Sequence, residues 1–533
     1  MARLTRLSCL LVLSLAASPA PSQSHVSSGE SRAAKVFDSA RQNPLSLHAF
    51  LINMPKGGDL HLHLSGAVYA ETLILEAVAD DACVHPATLS LIKSTNLPEG
   101  AGTHPACLQG DVSAAAALKD QKLYDELIDS LSMRSFVPTT GDSGHDHFFA
   151  TFARFAAIDK RHAGEWLDEV ARRAATQNEQ YLEVMETPTF TAAGRLGFEA
   201  GWPTSSPGSD APRDLTREEL AALRDKLLAA GLRTHVAEDI HQLDDALAQR
   251  HQIERCDQPD AAAACSVKIR FLAQVLRAFP PQQVFAQTLL YFELAEADPN
   301  VVGINFVQPE DAFLSMTEYH RQMLMLDYLH SVYPHVHISL HAGELAPGLV
   351  PPTGLSFHIR EAVELGHAER IGHGVDVMYE REPKALLEEM ADRHIMTEIN
   401  LTSNDIILGV TTNHHSLPAY RAAHVPVALS TDDEGVSRID LTHEYTRAVL
   451  DFHLTYLDLK QMARTSMEHA FLPGPSLWLH PDKFTEPVSP CAHGTLGAES
   501  PTPDCLAFLN SSEKAAEQWE LEHRYKVFES LTR

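Results

Sequence analysis

The chain is short of basic residues. In 533 residues, 42 Lys and Arg stand against 71 Asp and Glu, a formal charge of −29. Nucleic-acid binding draws on a basic excess that releases phosphate counterions, and docking on anionic lipid needs the same sign of charge, so neither partner is expected. Beyond the first two dozen residues no apolar run is long enough to span a bilayer. No G-x-G-x-x-G follows the first strand-like segment, no Walker-type phosphate loop occurs, and no repeat of fixed period is present. Cysteine is scarce at 7 residues, and none forms a C-x-x-C pair, which excludes a zinc knuckle and a dithiol redox centre. With 44% hydrophobic and 21% charged residues, the chain is too apolar for disorder and long enough to build a core.

What is present begins with an export signal, Met1–Ser24. Arg3 and Arg6 open it, Leu7–Ala17 is a short apolar run, and small residues follow, with Ala20 and Ser22 suited to cleavage after Ser22. Cys9 leaves with this segment. The six remaining cysteines are an even count in an exported chain, which predicts disulfides. Neighbour pairing is the simplest connectivity: Cys83–Cys107, Cys256–Cys265 and Cys491–Cys505. The expected location is a periplasm or the cell exterior.

Residues 25–53 read as a leader helix. Eight strand-like segments then follow. They are GDLHLHLSGA (58–67), QYLEVME (180–186), VKIRFLAQVL (267–276), VVGINFV (301–307), HVHISLH (335–341), RIGHGVDV (370–377), IMTEINL (395–401) and VPVALST (425–431). Helical patterns separate them, among them Ala70–Ala79, the Phe-rich stretch 145–158 and PKALLEEMADRH. Such alternation predicts a parallel sheet, and eight units predict an α/β fold of the closed (β/α)8 TIM barrel type over residues 54–472. An open doubly wound sheet is the alternative, without a dinucleotide fingerprint to support it. Residues 80–115 read as an inserted loop, and a second insertion spans 187–265, rich in Pro, Gly and Ser as far as 215. Residues 473–533 form an extension with a Cys491–Cys505 loop and a final helix that is read as packing on the barrel, its mixed charge suggesting a solvated outer face.

In a barrel of this type the active site lies at the C-terminal strand ends. Polar residues collect there: His61 and His63 on the first strand, Gly303 on the fourth, His341 and Glu344 at the fifth, His373 at the sixth, Asn404 after the seventh, and Asp432–Asp433 at the eighth. Residues i and i+2 of a strand share a face, so His61 and His63 can converge on one ion. Three imidazoles with Asp432 suit Zn²⁺ with one position left for water. Glu344 can act as a proton donor or acceptor near that ion. His373 is read either as a ligand or as the group that orients a water. Asp433 is read as a substrate contact or a helix N-cap.

MPKGGDLHLHLSGA, SLHAGE, RIGHG, EINLTSN and LSTDDEG occur in the order and spacing of the adenosine deaminase family, which the chain resembles from about Met54 to Ala470. The export signal, the MPKGG lead-in and the cysteine-bearing insertion are similar to the secreted, growth-factor-type branch. The resemblance implies one zinc per chain on His61, His63, His341 and Asp432. It implies Glu344 as the group that protonates a purine ring nitrogen, and His373 as the residue that holds and helps deprotonate the attacking water. It implies Asp433 as a contact to water and ring, and Gly303 as a backbone donor to another ring nitrogen. HFFATFARF resembles a helical gate beside the substrate, which brings in Phe148, Phe149 and Phe152. The implied reaction is hydrolytic deamination of adenosine, and of 2′-deoxyadenosine, to inosine and ammonia, with a homodimer as the expected assembly.

One position departs from the pattern. Where the family carries an Asp placed for the ribose 5′-hydroxyl, this chain has Ser65, uncharged but able to donate and accept. Another 6-aminopurine, or an N6-substituted purine, is therefore an alternative substrate, and another mononuclear-metal amidohydrolase an alternative enzyme. A second metal would call for a bridging Lys or carboxylate at the fourth strand end, and GINFVQPE holds no Lys. The cytidine-type zinc deaminase pattern fails: His367-Ala368-Glu369 supplies H-x-E, but Gly494 stands where the second Cys after Pro490-Cys491 belongs.

Overall fold

The computed structural model describes residues 28–94, 107–158, 160–188, 190–204 and 212–532. The signal segment, residues 1–24, lies outside the described residues. Among the described residues no helix is long and apolar enough to cross a membrane.

The eight apolar runs form the eight strands of one parallel sheet: β1 (Gly57–His63), β2 (Glu179–Glu186), β3 (Lys268–Leu276), β4 (Val301–Val307), β5 (His337–Ala342), β6 (Arg370–His373), β7 (Met396–Ile399) and β8 (Val427–Leu429). They pair in chain order. Both faces are covered, so their sequences read as continuous apolar runs rather than alternating ones. The sheet closes just beyond β8, where Leu62 of β1 bridges to Asp432 in parallel. The Asp432 N–H donates to the His61 carbonyl at 2.8 Å, and the His63 N–H donates to the Asp432 carbonyl at 3.2 Å. This is the (β/α)8 barrel.

Asp59 staples that closure. Its carboxylate accepts from the His61 N–H at 3.1 Å, the Thr431 N–H at 3.0 Å and the Thr431 hydroxyl at 2.6 Å. Deeper in the barrel the Arg370 guanidinium lies between Glu183 and Glu398, 2.7 Å from each, with all three side chains fully buried. A buried charge persists only when paired and hydrogen-bonded. Here the Phe471 ring also covers the guanidinium at 3.9 Å.

Several local expectations change. The leader is two helices, Ser28–Ala40 and Pro44–Leu51, not one. Pro44 has no N–H to continue a helix, and the Asn43 side chain caps the new one by accepting from the Leu45 and Ser46 N–H groups. The insertion after β1 is not merely a loop. Cys83–His85, Ser90–Ile92 and Val112–Ser113 form a small antiparallel sheet, too short for its alternation to show in sequence. The Pro/Gly/Ser-rich stretch after β2 contains a helix, Phe190–Ala200. Cys83 meets Cys107, Cys256 meets Cys265 and Cys491 meets Cys505, with Cα separations of 5.6, 5.5 and 4.5 Å.

The tail is not a solvated appendage. Leu477, Trp478, Phe484, Cys491, Cys505, Leu509, Ala515 and Trp519 pack as a core of their own. The last helix, Glu513–Leu531, seals the N-terminal end of the barrel. The Tyr525 hydroxyl donates to the Pro55 carbonyl at 2.7 Å, and Gln180 donates to the Glu517 carbonyl at 2.9 Å. Some of its acids face inward to basic partners, as in the two-pronged contact of Arg464 with Glu522 at 2.6 and 2.8 Å.

Asp59→Ala strands three buried donors at the barrel seam. We expect a loss of about 3 kcal/mol or more, read as a lower urea midpoint in chelator-treated protein, so that metal loss cannot account for it.

Candidate metal centre and active site

Period-2 geometry puts His61 and His63 on the barrel interior, and β5 delivers His341 opposite them. The His61 and His341 Nε2 atoms lie 3.1 Å apart, and those of His63 and His341 3.2 Å. Asp432 Oδ1 lies 3.2 Å from His63 Nε2 and 3.5 Å from His61 Nε2. Ligand atoms about 2.0–2.2 Å from a tetrahedral zinc are spaced at about 3.3–3.5 Å, so the four atoms fit the shell of one such ion.

Each imidazole is held so that Nε2 faces inward, where it can offer a lone pair to an ion. Nδ1–H of His61 donates to Glu398 Oε2 at 2.6 Å, that of His63 to Gln274 Oε1 at 2.7 Å, and that of His341 to Asn305 Oδ1 at 2.7 Å. Such partners fix tautomer and ring orientation in metal sites. Ser339 links two of them, accepting from Asn305 at 3.1 Å and donating to Glu398 at 3.0 Å. Burial, with the neighbouring imidazoles, pushes His341 well below the ordinary histidine range. Burial also lowers His61, but Asp432 and Glu398 outweigh it and raise it to about 10. The cluster therefore favours a positive charge at this spot, whether a proton or a metal ion supplies it.

Asp432 and His373 both sit in the left-handed region, at φ 63° and 67°. Non-glycine residues hold that conformation only where surrounding contacts enforce it. For Asp432 the enforcing contacts are those of the barrel seam. Around His373 the chain must pass close to His61: a Cβ on Gly372 would meet the His61 ring at 2.6 Å. His373 is fully buried, and burial lowers it to about 3, so it is a neutral imidazole.

Glu344 follows Gly343 on a turn tied down by Glu310. The Gly343 and Glu344 N–H groups donate to the two Glu310 oxygens at 3.0 and 2.8 Å. Burial opposes ionisation of Glu310, yet His358 and Arg277 hold it down at about 2. Burial, with the Asp432 and Glu310 charges nearby, raises Glu344 itself well above the carboxylate range. Asp433 is likewise buried, raised to about 7 mainly by that burial, with an Oδ1 that has no hydrogen-bond partner. It reaches the site past Gly66, where a Cβ would overlap its carboxylate at 1.6 Å.

These groups line one pocket of about 390 Å³. Its walls bring together His63, His341, His373, Glu344, Asp432 and Asp433 with Ser65, Phe148, Phe149 and Phe152. The phenylalanines come from the helix Gly144–Phe155, started by a Ser143–Asp146 capping box. Leu276, Val307, Gln308 and Pro309 complete the rim. No Lys or Arg is among the lining residues.

One expected contact falls elsewhere. Gly303 is the third residue of β4 and pairs with His337, the first residue of β5, so it lies at the opposite end of the strand from the pocket. A Cβ there would meet the His337 carbonyl and Phe471. The residue at the pocket end is Gln308, at φ 85°. Glu310, Gln274, Asn305 and Glu398 were not anticipated. Their signal was a polar residue inside, or just after, an otherwise apolar strand.

A family model described as Adenosine deaminase matches residues 145–477, more than half of the chain. The chain belongs to the adenosine deaminase family. Among curated relatives it is 38% identical over 136 residues to an adenosine deaminase of Shewanella loihica, spanning 25% of this chain and 38% of that one. It is 37% identical over 137 residues to that of Escherichia coli, spanning 26% and 38%. The match thus spans under two-fifths of these relatives' length. Among solved structures, an adenine deaminase of Arthrobacter aurescens aligns at 15% identity and TM-score 0.47 over 79% of this chain and 94% of its own. An Arabidopsis N6-mAMP deaminase aligns at 18% and 0.47 over 80% and 96%. A zinc-bound amidohydrolase of Burkholderia ambifaria aligns at 16% and 0.49 over 80% and 88%.

Purified protein should retain about one zinc per chain after dialysis, by atomic emission. His341→Ala should lower that occupancy at least tenfold at fixed free zinc.

Proposed function

We propose that the chain is an exported zinc-dependent deaminase of adenosine and 2′-deoxyadenosine. The observation that carries this reading is the convergence of three inward Nε2 atoms and Asp432 on the floor of the pocket that also holds the Glu344 carboxyl.

Zinc, when bound by His61, His63, His341 and Asp432, supplies the Lewis acidity that makes water nucleophilic near neutral pH. The chain does the rest. Glu344, kept protonated by burial, donates its proton to the purine ring nitrogen next to the amino-bearing carbon and leaves that carbon electrophilic. His373 and Asp433 hold the attacking water against that carbon. One proton of the added water passes to the amino group and the other restores the Glu344 carboxyl, so that ammonia departs and inosine keeps the ring proton that Glu344 gave. Phe148, Phe149 and Phe152 cover the ring and exclude bulk water.

The pocket favours an uncharged nucleoside over a nucleotide. A phosphate buried beside Glu344, Asp432 and Asp433 without a Lys or Arg would be an uncompensated anion. Ser65 lies within the same lining, where it can hydrogen-bond a sugar hydroxyl without adding charge. Three cysteine pairs at disulfide distance support an oxidising compartment, and with it the export reading. A homodimer is the proposed assembly.

A panel of adenosine, 2′-deoxyadenosine, adenine, AMP and N6-methyladenosine, followed by ultraviolet change and ammonia release, tests the reading. Adenosine should exceed AMP in kcat/KM by at least 100-fold, and a zinc-loaded protein that turns over none of them is not this enzyme. Glu344→Gln should keep the metal and lose about 10²–10⁴-fold in kcat. Ser65→Asp should lower KM for adenosine without changing that for adenine.

A further inference from the structure

A chain of buried hydrogen bonds leads from the backbone to His373, and its direction is set by its first donor. The Leu417 backbone N–H can only donate, and it donates to His415 Nδ1 at 3.0 Å. Nδ1 of His415 is therefore the unprotonated nitrogen. Burial holds this imidazole at about 4, so the neutral ring carries its single proton on Nε2. That Nε2–H donates to Asn404 Oδ1 at 3.0 Å, which fixes which end of the amide is oxygen. The Asn404 NH2 then faces His373 Nδ1 at 2.9 Å. The Asn400 NH2 lies between the two ring nitrogens, at 3.4 and 3.5 Å, and Glu344 Oε1, 3.8 Å from Nδ1, is beyond hydrogen-bond reach, so Asn404 is the contact that decides. His373 Nδ1 accepts, so the proton of this ring sits on Nε2, which is 3.9 Å from Asp432 Oδ2.

We propose that Asn404 and His415 are positioning residues that hold His373 as its Nε2–H tautomer, so that it offers the site a hydrogen-bond donor rather than a lone pair. The part of this that concerns catalysis rests on the deaminase reading above. His373 then steers the oxygen of the attacking water and does not take its proton in the resting state. The tautomer is set from behind the pocket wall, by residues that are not themselves among its lining: Asn404 meets His373 directly, and His415 acts one side chain further back. Leu417 opens the helix Leu417–Ala422, whose Pro418 at its start leaves the first N–H groups free for such a contact.

The test needs no substrate for its first arm. In the full chain, purified with its metal and labelled with ¹⁵N-histidine, the His373 signals are identified by their loss in His373→Gln. We expect Nδ1 in the unprotonated range and Nε2 in the protonated range; the reverse pattern overturns the proposal. Asn404→Asp cannot donate and should move the proton to Nδ1. His415→Leu should leave the Asn404 amide unaligned and give mixed tautomers, and His415→Gln, which keeps an N–H donor, should recover most of the native pattern. In the kinetic arm, Asn404→Asp and His415→Leu should lower kcat about 10²-fold, with KM within twofold and zinc content unchanged. His415→Gln should regain most of that loss. An altered nitrogen pattern with native kcat overturns the positioning role. If no purine is turned over while the native nitrogen pattern is as expected, the deaminase reading fails and the tautomer assignment stands. Should Asn404→Asp not fold, the native spectrum and the two His415 variants decide alone.

Discussion

Asp432 joins the fold to the site. Its backbone exchanges hydrogen bonds with His61 and His63, and that exchange closes the sheet. Its carboxylate stands within 3.2–3.5 Å of the same two histidines. The barrel cannot shut without bringing an acid against two imidazoles, and the cluster cannot form unless the barrel shuts. The left-handed backbone at Asp432 is the local cost, and Asp59 offsets it by binding the chain on both sides of the seam. Site and scaffold are here one set of contacts.

Around this seam the charges are graded. Arg370 occupies the barrel interior, neutralises Glu183 and Glu398, and so leaves Glu398 able to orient His61. Nearer the pocket, Glu310 is held ionised by His358 and Arg277 and positions the Glu344 turn. The outermost acids, Glu344 and Asp433, have no cation of their own among the lining residues, and burial raises both. Acids matched with bases at depth and unmatched at the surface of the cavity give carboxyls of two kinds: structural ones that stay charged, and reactive ones that can carry a proton.

Much of this was legible in the sequence. Parallel strands buried on both faces appear as apolar runs, and all eight were visible. The i, i+2 spacing of His61 and His63 needed only strand periodicity, and His341, Glu344, His373, Asp432 and Asp433 followed from where each run stopped. Gly303 entered through the family resemblance, as a backbone donor, but it lies near the start of β4, and the count from the strand end leads to Gln308. Glu398, Asn305 and Gln274 were hidden because their importance lies in what packs against them across the barrel. The final helix packs on the barrel floor, and its outer face, with Lys526 and Ser530, is exposed. What the sequence did not show is that Glu522 and Glu517 turn inward to partners on the barrel.

The two ends of the described chain meet. Arg32, in the first helix, donates to the Thr532 and Glu529 carbonyls at 2.8 Å, and Lys460 bridges Glu30 and Glu529 at 2.7 and 2.6 Å. The first described helix therefore has partners near the far end of the described chain. Phe37 of that helix also packs on Phe50 of the next helix and on Tyr456, so the floor is finished by contacts of both short and long sequence separation. Contacts of such long sequence separation are slow to form and leave sticky surface exposed while they wait. Assembly of this chain is thus a race between completing the floor and self-association.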